Sequence, residues 1–435
     1  MVTENQAPPE KSSFPNNKWI QLSVGLLCMA MIANLQYGWT LFVDPIDAKY
    51  GWGRAAIQVA FSIFVFTETW LVPVEGWFVD RYGPRVVVVG GSILVGLSWV
   101  INAYADSLAL IYLGAVVAGV GAGAVYGTCV GNALKWFPTQ RGLAAGITAA
   151  GFGAGAAATI IPIANMIAAQ GYEHAFMVFG IGQGLVIFVL SWFLRSAPGK
   201  TAGAKHRGKV AQTSVDLAPR QVLRTPVFWL LYIMFVMVAS GGLMAAAQIA
   251  PIAHDFHVAD VPVNLFGLVL PALTLAISLD RVLDGMGRPL FGWISDNIGR
   301  ENTMFIAFGT AAVAIILVTQ LGRSPILFVL FTALFFCVFG EIYSLFPATA
   351  GDTFGSKFAA TNAGMLYTAK GVAALLVPLS SLIAAHFGWH AVFYIAASFN
   401  AVAAVLALFV LKPLRASFLR TDEETGLAFG TASNS

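Results

Sequence analysis

The chain has 435 residues, a formal charge of +3, 58% hydrophobic residues and only 10% charged ones, with a mean hydropathy of +0.77. A soluble protein carries about 25% charged residues, and a soluble chain of this length needs polar surface that this composition does not contain. The composition therefore excludes a soluble protein and makes lipid the solvent for most of the surface. The 44 glycines agree with that, because glycine is commoner in membrane helices than in soluble ones. Cys28, Cys129 and Cys337 fall in apolar stretches without CxxC spacing, and read as packing residues rather than disulfide or metal ligands.

Residues 1–17 are polar, with Pro8, Pro9 and Pro15, so no cleavable signal peptide is expected and the first apolar segment is a retained span. A helix needs about 20 apolar residues to cross a bilayer. Such segments lie at 19–42, 55–78, 85–104, 108–134, 142–168, 174–194, 226–251, 262–291, 303–321, 325–349, 358–385 and 390–411. The expected fold is an all-α membrane protein of twelve transmembrane helices. It divides into a cytoplasmic tail (1–17), a six-helix bundle (18–195), a basic cytoplasmic linker (196–225), a second six-helix bundle (226–412) and a cytoplasmic tail (413–435). Of the 24 Lys and Arg residues, 18 fall on the face that carries both termini, three on the other (Lys49, Arg54, Arg323) and three within spans (Arg281, Arg288, Lys370). The positive-inside rule then places both termini in the cytoplasm.

The two halves repeat. GWFVDRYG at 76–83 matches GWISDNIG at 292–299, GYEHAF at 171–176 matches GWHAVF at 388–393, and TAAG at 148–151 matches TAKG at 368–371. Near-constant offsets imply two homologous bundles related by a pseudo-twofold axis along the membrane normal.

With these repeats the chain resembles the major facilitator superfamily, in whose fold two six-helix bundles rock about a central site. GWFVDRYGPR (76–85) resembles that family's loop between the second and third helices, and GWISDNIGR (292–300) its echo. The resemblance implies a conformational latch of Asp80, Arg81, Arg85, Asp296 and Arg300, which Glu75 joins by its position near the cytoplasmic end. Charges at helix ends can cap backbone groups in one state and release them in another. NLQYGWTLF (34–42), VYGTCVGNALKWFP (125–138), RGLAAGITAAGFG (141–153), GRPLFGWISDNIGR (287–300) and YTAKG (367–371) further resemble the oxalate/formate antiporter family, whose bacterial members exchange or import small carboxylates.

The stretch LDRVLDGMGRPLFGW (279–293) places Asp280, Arg281, Asp284 and Arg288 within the eighth span. An intramembrane charge costs about 2.5–3.5 kcal/mol on insertion scales and is a functional candidate by default. Positions 280, 284 and 288 stack on one helix face, so Asp284 can pair with Arg288, and Asp280 with Arg281 or with the face of Asp284. Gly285 and Gly287 leave the helix bare, and Pro289 interrupts its hydrogen-bond ladder. Arg288 and Lys370 match the family's substrate-binding cations, and a guanidinium suits bidentate capture of a carboxylate. Gln36, Tyr37, Tyr126, Phe152, Phe339, Tyr343 and Tyr367 match its site positions, where rings would exclude water around a small anion.

The sequence also departs from the oxalate exchanger. Phe339 and Tyr367 stand where that pattern has tryptophan, Phe152 where it has tyrosine, and the exchanger lacks the extra acids. Asp284-x-x-x-Arg288-Pro289 instead resembles the proton-linked monocarboxylate transporters, although their first-span lysine is missing. Symport of a monocarboxylate with a proton is therefore the alternative to exchange. With Asp280 and Asp284 ionised, Arg281, Arg288 and Lys370 leave a local charge of +1, and protonating Asp284 makes it +2. Glu68 and Glu341 are further intramembrane acids that could carry a coupling proton, and Glu341 could equally be the partner of Lys370.

GVGAGAVYG (119–127) lacks the lysine of a phosphate loop and reads as close helix packing. A single HDFH (254–257) is a weak metal signal, and the basic linker could touch anionic headgroups. No Ser/His/Asp or His-rich cluster lies in the spans and the tails are too short for a signalling domain, so a membrane enzyme or sensor is not expected. The expectation is a monomeric carrier in the bacterial inner membrane whose partners are small carboxylates, lipid and, on the symport alternative, protons. No cofactor, metal or nucleic acid is expected.

Overall fold

A computed structural model describes residues 16–198, 209–265 and 267–421. The readings of the two tails, and of Lys200, Lys205 and Arg207 in the linker, lie mostly outside these residues. The first half comprises α1 (Lys18–Tyr37), α2 (Thr40–Tyr50), α3 (Arg54–Trp70), α4 (Val72–Tyr82), α5 (Pro84–Ala103), α6 (Leu108–Trp136), α7 (Arg141–Gln170) and α8 (Tyr172–Ser191). A short α9 (Pro219–Val222) in the linker leads to α10 (Pro226–Asp255), a hairpin of β1 (Pro262–Leu265) and β2 (Leu268–Pro271), then α11 (Ala272–Ile298), α12 (Arg300–Leu321), α13 (Pro325–Phe339), α14 (Ile342–Phe354), α15 (Ala359–Phe387) and α16 (Trp389–Leu406).

Among the described residues ten helices are long and apolar enough to cross a membrane, and α3 with α4, bent by 41°, makes an eleventh span. Helix α11 has 27 residues, enough for about 40 Å at 1.5 Å per residue, but it carries the 280–288 charges that an apolar span lacks. It resolves them by facing. Asp280, Asp284, Gly287, Arg288 and Phe291 are buried, while Val282 (51% exposed), Met286 (62%), Leu290 and Trp293 form the outward row. The row at i, i+4, i+8 that holds the charges thus turns inward and an apolar row meets lipid.

The eighth span differs at both ends from its sequence reading. Residues 262–265 and 268–271 pair as an antiparallel hairpin in register Pro262↔Pro271, not helix, and a short apolar run does not by its pattern distinguish the two. Asn264 Oδ1 accepts from Gly267 N at 3.0 Å, and Gly267 takes φ +87° at the hairpin tip. At the other end the helix runs through Pro289 to Ile298, so GWISDNI is helical and only Gly299 is left for the junction. The last span also exceeds expectation, running Trp389–Thr421 with a π turn at Ala407–Leu411.

The repeats recur in backbone geometry. Gly83 and Gly299 take φ +87° and +97° at equivalent junctions between the second and third spans of each half, and Gly171 and Gly388 take +88° and +76° before the sixth and twelfth. Such values favour glycine because a Cβ would clash. The halves meet along α7 with α11, and α4 with α15. A Cβ on Gly146 would lie 2.3 Å from the Arg288 carbonyl, and Gly142 and Gly292 abut with similar closeness. Small residues let these backbones touch.

Candidate functional site

Two buried cations lie where the halves meet. Lys370, on α15, is 4% exposed, and its Nζ stands 3.1 Å from Glu68 Oε2 on α3. The ammonium also donates to the Tyr367 hydroxyl at 2.9 Å and to Gln36 Oε1 at 3.4 Å. Arg288, on α11, is 2% exposed and donates to Asp284 Oδ2 at 2.6 Å and, from its other terminal nitrogen, to the Ala149 carbonyl on α7 at 2.8 Å. Its Nε has no hydrogen-bond partner among the described residues. Both cations lie over one ring: Arg288 is 4.8 Å and Lys370 5.9 Å from the centroid of Tyr343.

Aromatic side chains enclose them. Tyr126 stacks on Tyr367 at 4.5 Å, Tyr37 meets Phe152 edge-on at 5.2 Å, and Tyr343 touches Phe339 and Tyr367 at 6.3 and 6.4 Å. Arg281 lies over Tyr37 at 4.9 Å. The structure thus gathers Gln36, Tyr37, Tyr126, Phe152, Phe339, Tyr343 and Tyr367 around Arg288 and Lys370. Rings hold a cation by their negative faces while excluding water.

The acids separate into three environments. Asp284 pairs with Arg288 as its spacing implies. Glu68, completely buried, pairs with Lys370; the alternative pairing of Lys370 with Glu341 does not form. Glu341 lies at the break between α13 and α14, next to Gly340, which abuts the Asp284 backbone, whereas Lys370 faces α3. Among the described residues, both Glu341 carboxyl oxygens and Asp280 Oδ1 lack hydrogen-bond partners. Arg281 points to Tyr37, so the expected Asp280–Arg281 pair is not among the ion pairs of the described residues.

A second polar cluster joins the halves on the face that bears the chain ends. Asp80, at the end of α4, accepts from Lys135 Nζ at 2.6 Å and from the Thr361 backbone N–H at 2.9 Å and its hydroxyl at 2.6 Å. Asp296, at the end of α11, accepts from the Gly142 and Leu143 backbone N–H groups at 3.0 and 2.8 Å. Each repeated aspartate therefore caps the first turn of a helix in the opposite half, where unpaired amides and the helix dipole favour an anion. Arg300 bridges Asp296 (2.7 Å) and Asp352 (2.8 Å), and Asp352 also binds Arg141 of the first half at 2.6 Å.

Arg81, Arg85 and Glu75 stand apart from this cluster. Arg81 stacks on Trp77 and Tyr82, Arg85 donates to the Trp192 carbonyl within its own half, and the Glu75 oxygens have no hydrogen-bond partner among the described residues. Sequence reasoning missed Lys135, Arg141, Asp352 and Thr361. RGLAAG gave a usable signal, an arginine opening a helix, but its partner lies 211 residues away. On the opposite face, the pairs Lys49–Glu173 and Arg54–Asp44 stay within one half.

The Major Facilitator Superfamily matches the chain over residues 22–378 and 243–432. The oxalate:formate antiporter of Oxalobacter formigenes is 34% identical over 409 residues, 94% of each chain. An uncharacterized 38 kDa protein in the 23S RNA operon of Thermoproteus tenax is 30% identical over 83% of this chain and 87% of its own. The solved proton:xylose symporter XylE shares the fold, with a TM-score of 0.70 at 12% identity over 91% of this chain and 96% of that one. These are families of transporters, not enzymes. The chain is a multi-pass membrane transporter that belongs to the Major Facilitator Superfamily and, within it, to the family of the oxalate:formate antiporter.

Proposed function

We propose that this transporter carries small carboxylate anions, with oxalate and formate as the first substrates to test, and that Arg288 and Lys370 are their ligands. The observation that carries this reading is the pair of buried cations from different spans facing one ring, Tyr343, at the junction of the halves. Arg288 would take one carboxylate with its planar fork and Lys370 the second carboxylate, or a monocarboxylate, as a point charge. Gln36 and the rings of Tyr37, Tyr126, Phe152, Phe339, Tyr343 and Tyr367 would shape the cage. The 34% identity to the oxalate:formate antiporter supports the substrate class.

The halves would move as two bundles, residues 18–195 and 226–412, in a monomer in the bacterial inner membrane. The charge distribution supports cytoplasmic termini. On that orientation Asp80 and Asp296, with Arg300, Lys135, Arg141 and Asp352, form the cytoplasmic latch. Reconstituted protein should exchange labelled oxalate or formate by counterflow against a panel of C1–C4 carboxylates. Lys370→Ala and Arg288→Ala should abolish that exchange; exchange that survives both substitutions ends the assignment.

A further inference from the structure

The two cations are neutralised differently, and the difference assigns a role to Glu68. Asp284 sits on the same helix as Arg288 and moves with it. Glu68 belongs to α3 of the first half and Lys370 to α15 of the second, 302 residues apart. Any motion that parts the halves at this level breaks the Glu68–Lys370 pair. It would leave two buried charges without partners, which is costly.

We propose that Glu68 is the proton carrier of this transporter, and that Glu68 and the substrate carboxylate take turns as the counter-ion of Lys370. This rests on the reading of Lys370 as a carboxylate ligand. In the step, a substrate carboxylate replaces the Glu68 carboxylate at Nζ, and one Glu68 oxygen accepts a proton from the aqueous phase. Before it, Lys370 and Glu68 sum to zero. After it, Lys370, the substrate anion and a neutral Glu68 again sum to zero. One monoanion and one proton therefore move together, and the carrier without substrate restores its own ion pair and can return.

The neighbourhood fits this exchange. The titratable groups facing Glu68 are Lys370 and Tyr367 from α15, Tyr126 from α6 and Glu75 from α4, with Gln36 from α1 beside the ammonium. Lys370 is the one cation in contact with it among the described residues, so its release removes the partner of the carboxylate. Tyr367 bridges the pair, its hydroxyl 2.9 Å from Nζ and 3.4 Å from Glu68 Oε1. It can follow either group. Glu341, with no cation in hydrogen-bond contact among the described residues, offers no such trade.

The test uses wild type, Glu68→Gln and Glu68→Asp in proteoliposomes, comparing formate counterflow at equal pH with formate accumulation driven by an acidic exterior. Wild type and Glu68→Asp should do both. Coupling between two binding sites, here the proton on Glu68 and the substrate on Lys370, is typically 5–150-fold, so in Glu68→Gln the ratio of gradient-driven uptake to exchange should fall by about tenfold or more. Proton-driven accumulation by Glu68→Gln at the wild-type ratio would overturn the proposal. A reading on wild type alone covers a variant that fails to fold: formate added to lightly buffered protein should be bound with uptake of about one proton each. Binding without proton uptake overturns the proposal but leaves the substrate reading intact, whereas absence of carboxylate exchange by wild type removes both.

Discussion

Two buried ion pairs share the centre of this molecule, and they are built in opposite ways. Asp284 and Arg288 are one helical turn apart on α11, at 2.6 Å, and their pairing is indifferent to how the halves lie. Glu68 and Lys370 come from different halves, at 3.1 Å, and their pairing reports the arrangement of the whole transporter. A pair on one helix fixes the pose of a side chain, holding the guanidinium fork in place. A pair between halves is a joint that must open when they separate.

That contrast can be broken experimentally, starting with the joint. Lys370→Gln strips Glu68 of its cation in a site with no exposure, so that the carboxyl must either stay charged alone or hold a proton in every state, and removal of one partner of a buried pair costs about 3–5 kcal/mol. The thermal midpoint of purified protein should fall sharply, and Glu68→Gln combined with Lys370→Gln should recover most of the loss in a double-mutant cycle. Additive losses would mean that the two groups do not interact. Asp284→Asn should cost less, about 1.5–3 kcal/mol, because Arg288 keeps the Ala149 carbonyl, and the change should not depend on whether the halves are locked together by cross-linking.

The proposed latch gives a smaller effect. Asp80→Asn weakens an anion at the start of α15, a contact worth about 0.5–2 kcal/mol. Amide hydrogen exchange of Thr361 and Asn362 should quicken by up to about tenfold while that of the α7 first turn, capped by Asp296, stays unchanged. Equal quickening at both sites would show the two caps to be one unit. Arg81→Ala should change the midpoint by no more than about 0.5 kcal/mol, since this residue is exposed and stacks on its own helix. A large loss there would restore Arg81 to the latch.

What the sequence disclosed follows the same division. The Asp284–Arg288 pair was legible because helical spacing alone brings i and i+4 together, and the inward face of α11 followed from the same row. The Glu68–Lys370 pair was not, because it depends on how α3 and α15 cross, and nothing in either segment names the other. Asp80 and Asp296 were marked by their repeat, but what ties each to the opposite half includes backbone amides at 142–143 and 361, which carry no side-chain signature. The hairpin at 262–271 was hidden by composition, as apolar residues suit strand and helix alike, and only Pro262, Pro271 and the Asn264–Gly267 turn hinted otherwise.

The most direct measurement of the central claim is substrate binding to purified transporter, titrated calorimetrically with oxalate and formate. Wild type should bind at least one of them, and Lys370→Ala and Arg288→Ala should each lose at least about tenfold in affinity, equivalent to about 1.4 kcal/mol. Undiminished affinity in both variants would contradict the account, because the buried cations would then serve only their own acids.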